Sequence, residues 1–207
     1  AMPVEPNLVH IGADKARSRG IDGTGLVVAN VDTGVRYTHE ALVGRYRGNL
    51  GGGAFDHDYN WLGAANGEMA PFDSHGHGSH TMGIMVGDDG VDRRIGVAPG
   101  ARWIACSACT LAGGCPGEAL LTCAQWAVAP YPIDDPDSPD PDRRPHVINN
   151  SWGGCSRRYD GWFQGTVDAW HAAGIYPVFS SGNASNCGYG TPPGGNTVGV
   201  PARYGNV

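Results

Sequence analysis

Short apolar runs alternate with helical segments along this chain, and that alternation constrains its fold more than any other feature. Gly25 to Val31 (GLVVANV) leads straight into Asp32-Thr33-Gly34, which reads as a buried strand closed by a tight turn. Gly96 to Cys106 reads as a turn and then a strand, Val147 to Asn150 as a strand, and Ile175 to Ser180 as another. Between them, His80 to Val86 opens a buried helix, and apolar spacing predicts helices over Glu118–Val128 and Gly165–Ala173. A short helix is expected near Ala13–Ser18. Strands alternating with helices predict an α/β fold built on a mostly parallel sheet. Functional groups in such sheets collect at the carboxyl ends of the strands.

Composition narrows the function. Of 207 residues, 41% are hydrophobic, which is too many for disorder. The net charge of −6 offers no basic face for a nucleic acid. No apolar run reaches the roughly 20 residues of a membrane helix. Residues 46–74 are glycine-rich and aromatic, and are expected to form surface loops. Pro130–Pro145 is acidic and proline-rich, which predicts a solvated connection. Six cysteines favour disulfides and an oxidising compartment, with 15 pairings open. No signal sequence is evident, so an export segment is expected to have been removed.

Two segments carry chemistry. Asp32 stands at a strand end before Thr33-Gly34, where a carboxylate can orient a histidine through its ring N–H. Downstream lies Asp73-Ser74-His75-Gly76-His77-Gly78-Ser79-His80-Thr81-Met82-Gly83. Its glycines let other backbone approach His77 closely, and an imidazole at a helix start suits a general base. A competing reading takes His75, His77 and His80 as zinc ligands, but Ser79 stands where the corresponding zinc motif has an aspartate.

DTG followed by HGSHTMG resembles the aspartate and histidine motifs of the subtilisin-like serine proteases, in that family's chain order. Ile95 to Ala101 (IGVAPGA), Asn149 to Gly154 (NNSWGG), Ser181-Gly182-Asn183 and Pro192 to Tyr204 resemble further family segments. The resemblance runs from about Val9 to the end of the chain. It implies a seven-stranded, mostly parallel sheet flanked by helices, incomplete in this chain. It also implies hydrolysis of polypeptides in a secreted, extracellular setting. Transferred residue by residue, His77 is the general base, Asp32 fixes its tautomer, and Asn183 donates to the oxyanion. Ser151, Trp152 and Gly153 are expected to form one substrate-pairing wall, and Gly113, Gly114 and Cys115 the other.

The family's nucleophile lies in a G-T-S-M-A motif, and no serine of this chain sits in one. The serine is therefore expected on a C-terminal segment of the same protease, and residues 1–207 alone are expected to be inactive. A nucleophile-less peptide-binding fragment or pseudoprotease is the alternative. The chemistry needs no cofactor. The acidic loop Gly87 to Asp92 allows a structural calcium but reads first as an ordinary turn. Cys106 and Cys109 suggest a zinc or redox pair by spacing, but the resemblance favours structural disulfides. It also makes the loops holding Cys155 and Cys187 neighbours, which singles out a Cys155–Cys187 bridge.

Overall fold

In the computed structural model, the described residues are 4–88, 90, 95–110, 112, 114–156, 158–183, 187–188 and 197–207. In chain order the helices are α1 (Pro6–His10), α2 (Ala13–Ser18), α3 (His77–Val86), α4 (Gly117–Val128) and α5 (Gln164–Ala172). The strands are β1 (Val27–Asp32), β2 (Asn49–Gly51), β3 (Ala54–Phe55), β4 (Trp61–Leu62), β5 (Arg102–Ser107), β6 (Val147–Asn150) and β7 (Tyr176–Phe179).

Five strands form one sheet in the order β4-β5-β1-β6-β7, and every pairing in it is parallel. The sequence reading expected most of a seven-stranded sheet; five strands are present among the described residues. Residues 46–74 are more than loops. β2 and β3 form a small antiparallel ribbon, and Trp61 and Leu62 pair with Ala105 and Cys106 at the sheet edge. A two-residue strand has no periodicity of its own to read, so pairing with β5 decides it. α1 was likewise unforeseen; Pro6 at its start supplies a φ already helical.

β1 is buried on both faces, as a central parallel strand must be. Its side chains alternate. Ala29 and Val31 enter the core beneath α4 and α5, with Ile104, Cys106 and Ile148 from neighbouring strands. Val28 faces the opposite core, with Trp103, Ala105, Met82 and Val86. By the same alternation Asn30 and Asp32 face α3.

α4 buries Leu120, Cys123, Ala124, Trp126 and Ala127 on one face, spaced as an amphipathic helix requires. α5 follows with Val167 and Trp170, and the Trp170 indole N–H donates to the Ala124 carbonyl at 3.1 Å. Truncating a tryptophan this deeply packed costs about 3–5 kcal/mol. Three disulfides form: Cys106–Cys123, Cys109–Cys115 and Cys155–Cys187. Cys106 and Cys109 thus belong to different bridges. The expected Cys155–Cys187 pair is one of the three.

Candidate active site

The register aligns Asp32 with Ser107 and Val31 with Asn150, which in turn pairs with Phe179. Every strand of the central sheet therefore ends at one rim, and the loops after β1, β5, β6 and β7 meet there. They enclose a cleft of about 590 Å³ lined by Asp32, His77, Ser151, Trp152, Gly153 and Asn183, among others.

The Asp32 side chain is 3% exposed and that of His77 43%. A buried carboxylate is costly unless paired and hydrogen-bonded. The Thr33 N–H donates to Asp32 Oδ1 at 2.7 Å, and His77 Nδ1 lies 2.7 Å from the same oxygen. An ionised carboxylate only accepts, so Nδ1 carries the proton and Nε2 keeps its lone pair. Among the described residues no hydroxyl hydrogen-bonds the His77 ring. Ser79 Oγ accepts from the Arg36 N–H at 2.9 Å, and Ser151 Oγ accepts from Asn149 at 2.9 Å.

His77 is the first residue of α3, and residues without an assigned role in the sequence reading hold it there. Asp73 Oδ1 accepts from the N–H groups of His75 (3.1 Å) and Gly76 (2.7 Å) and from Thr33 Oγ1 (2.8 Å). Its Oδ2 accepts from the Ser79 N–H at 2.8 Å, inside the first helical turn. Thr33 Oγ1 accepts in turn from the Gly78 N–H at 3.0 Å. Burial pushes the Asp73 carboxyl up, but hydrogen bonds from the Ser79 side chain and from the Gly76, Ser79 and His75 backbone outweigh it. The group is held below its ordinary range. The helix's own N-cap, Gly76, makes no side-chain cap, so Asp73 supplies one from three residues upstream. Its signal in the sequence is its place just before the glycine–histidine run.

Ser151, Trp152 and Gly153 follow β6 and make no backbone hydrogen bond to another described residue, while Gly154 N–H donates to Val200 at 2.9 Å. Opposite them, Cys109 and Cys115 line the cleft. Gly114 is not among the lining residues; its carbonyl accepts from the Thr110 N–H at 2.9 Å, closing a turn that the Cys109–Cys115 bridge also closes. Gly113 lies outside the described residues, as do Asp89, Val91 and Asp92 of the acidic loop. Asp88 of that loop pairs with Arg45 at 3.1 Å. Leu120, Trp152 and Trp162 give the cleft an apolar side that periodicity did not announce. The Cys155–Cys187 bridge ties the wall after β6 to the loop that follows Asn183. Among the described residues no three histidine, cysteine or acidic side chains converge as a metal site.

A parallel α/β sheet whose carboxyl rim presents a histidine oriented by a buried aspartate, beside backbone at Ser151–Gly153 that no other described residue pairs, has the layout of a triad hydrolase. The Subtilase family model (Peptidase S8) matches residues 23–207, and the chain belongs to this family of serine proteases. It is 43% identical over 205 residues to Bacillopeptidase F of Bacillus subtilis (strain 168), covering 97% of this chain and 14% of that protein. It is 29% identical to Subtilisin DY of Bacillus licheniformis, over 95% of this chain and 60% of that protein. It is 27% identical to Subtilisin Savinase of Lederbergia lenta, over 100% of this chain and 62% of that protein. The chain thus spans about one-seventh of the first relative and about three-fifths of the other two.

Proposed function

We propose that residues 1–207 are the Asp–His portion of a secreted serine endopeptidase that cleaves extended polypeptides through an acyl-enzyme. The observation that carries this reading is the 2.7 Å contact from Asp32 Oδ1 to His77 Nδ1, with the ring edge turned to the cleft. His77 Nε2 takes the proton of a serine hydroxyl as its oxygen attacks the peptide carbonyl. Asp32 stabilises the imidazolium that forms. The Asn183 amide donates to the oxyanion of the tetrahedral intermediate. His77 then protonates the leaving amine, and water releases the acyl group by the same steps in reverse order. Backbone at Ser151–Gly153, unpaired among the described residues, suits a substrate strand, and Cys115 lines the same cleft.

The serine, on this reading, comes from a C-terminal segment outside residues 1–207. Ser79 and Ser151 are already engaged by Arg36 and Asn149. The triad chemistry uses no cofactor, and any calcium would be structural. Three disulfides suit an extracellular setting. The test is casein hydrolysis by the full-length protein and by residues 1–207 alone, with and without a serine-reactive inhibitor. Inhibitor-sensitive turnover by the full-length protein only is expected. Turnover by the isolated segment, or hydrolysis stopped by a chelator and not by the inhibitor, would overturn the reading.

A further inference from the structure

Asn30 sits in the middle of β1, 1% exposed, in an otherwise apolar stretch. A buried amide is costly unless its donors and acceptor are met. Here all are met. Nδ2 donates to the Gly78 carbonyl at 3.1 Å and to Thr81 Oγ1 at 2.9 Å. Oδ1 accepts from Asn149 Nδ2 at 2.8 Å. The Gly78 carbonyl can only accept, which sets the orientation of the Asn30 amide.

Asn149 is the register partner of Asn30 on β6, and it also donates to Ser151 Oγ at 2.9 Å. On the other side the Thr81 hydroxyl lies 3.1 Å from the Gly78 carbonyl and 3.5 Å from Asp32 Oδ2. A continuous hydrogen-bonded line therefore runs from Ser151 in the cleft wall, through two asparagines, into the first turn of α3.

We propose that Asn30 is a positioning residue for His77, fixing the first turn of α3 against β1 and joining its placement to that of Ser151. The proposal rests on the reading of His77 as general base. Thr33 and Asp73 accept from the N–H groups of Gly78 and Ser79 in that turn, and Asn30 donates to its Gly78 carbonyl. With both the N–H and the carbonyl of Gly78 tied, the imidazole next to it has little freedom to pivot away from Asp32. A purely packing role would be met by any side chain of the same shape; the amide is required because Gly78, Thr81 and Asn149 all present polar groups to it.

The test compares Asn30→Leu, Asn30→Asp, Thr81→Val and Thr81→Ser in the full-length protein, with thermal unfolding confirming that each is folded. Asn30→Leu keeps the shape and is expected to lower kcat about tenfold with KM little changed, since small misplacements of a reacting group are costly. Asn30→Asp sets an oxygen against the Gly78 carbonyl and adds negative charge near the dyad. The charged and titratable groups around His77 are Asp32 at its Nδ1 and His75, whose ring centroid is 6.4 Å away, with Asp73 bonded to Thr33. A further carboxylate favours the imidazolium, so the acid limb of the kcat/KM profile should move to higher pH. Thr81→Val should lower kcat, and Thr81→Ser should restore it; this pair decides the matter if the Asn30 variants do not fold. The far-downfield proton resonance of His77 Nδ1–H should shift or broaden in Asn30→Leu and Thr81→Val. Folded variants with wild-type kcat, KM, pH profile and Nδ1–H resonance would overturn the proposal. If the wild type shows no serine-reagent-sensitive hydrolysis, the protease reading fails. The Nδ1–H resonance then decides alone: changed supports positioning, unchanged overturns it.

Discussion

Gly78 and Gly34 are in direct backbone contact: a Cβ built on Gly78 would fall 2.0 Å from the Gly34 carbonyl oxygen. Gly34 itself has φ +106°, and a Cβ there would lie 1.8 Å from the Phe72 carbonyl. The start of α3 can therefore approach the turn after Asp32 only because Gly78 has no side chain, and Gly34 in turn leaves room for the Phe72 backbone. That approach brings His77 to Asp32. Gly78→Ala should cost about 1–3 kcal/mol of stability through overpacking. It should lower kcat by roughly a hundredfold by moving α3 off β1. Chemical denaturation and steady-state kinetics on the full-length protein check both; an unchanged kcat would show that the contact does not set the dyad.

Asp73 couples pH to the stability of the same helix start. Its carboxyl is held below its ordinary range, so its contribution is fully present above the unfolded value of about 3.9. It is lost as pH falls through the lower, folded value. Asp73→Asn should be less stable than wild type at neutral pH, by about 1–3 kcal/mol, because its NH2 would face an N–H that Asp73 now accepts from and leave that donor unpaired. It should also show a shallower loss of stability below about pH 4. Thermal unfolding across pH 2–7 measures this, and parallel curves for the two proteins would contradict it.

The Cys155–Cys187 bridge closes a separation of 32 residues and joins one cleft wall to the loop beyond Asn183. Loop-closure entropy for that length gives about 4 kcal/mol of stabilisation. The double variant Cys155→Ser/Cys187→Ser should lose stability of that order and raise KM more than it lowers kcat. The reason is that Ser151–Gly153 would lose its tether while Asp32 and His77 would not. A denaturant midpoint and a KM unchanged from wild type would refute the assignment.

Asp32→Asn preserves shape but reverses the logic of the pair. A neutral amide can present its N–H to the ring, which stabilises the wrong histidine tautomer. The expected loss in kcat is on the order of 10⁴, the size of the effect when a triad aspartate is replaced by asparagine. Asn183→Ala should cost less, on the order of 10²–10³, the size known for subtilisin itself at its oxyanion asparagine. Equal and small losses for both would count against the proposed roles.

The strands and helices with strong local signals were legible in the chain. β1 stood out because an apolar run ends at Asp32, and α4 because its apolar spacing is helical over its full length. Trp61 and Leu62 were not legible as a strand, because their order comes from Ala105 and Cys106, far away in sequence. Asp32, His77, Asn183 and Ser151–Gly153 were readable as motifs, and the fold brings them to one cleft. The residues that hold His77 were not assigned. Asp73 acts on N–H groups two to six residues ahead, and Asn30 acts on α3 across 48 residues. The sign of Asn30 was present all the same: a polar residue inside VVANV must find partners when buried.

The central claim is that His77, oriented by Asp32, activates a serine. The most direct measurement is labelling of the full-length protein with a fluorophosphonate probe, followed by peptide mapping of the modified residue. Wild type should be labelled on one serine outside residues 1–207, and His77→Ala should lose that labelling while remaining folded. An unlabelled wild type, or equal labelling of wild type and His77→Ala, would contradict the account.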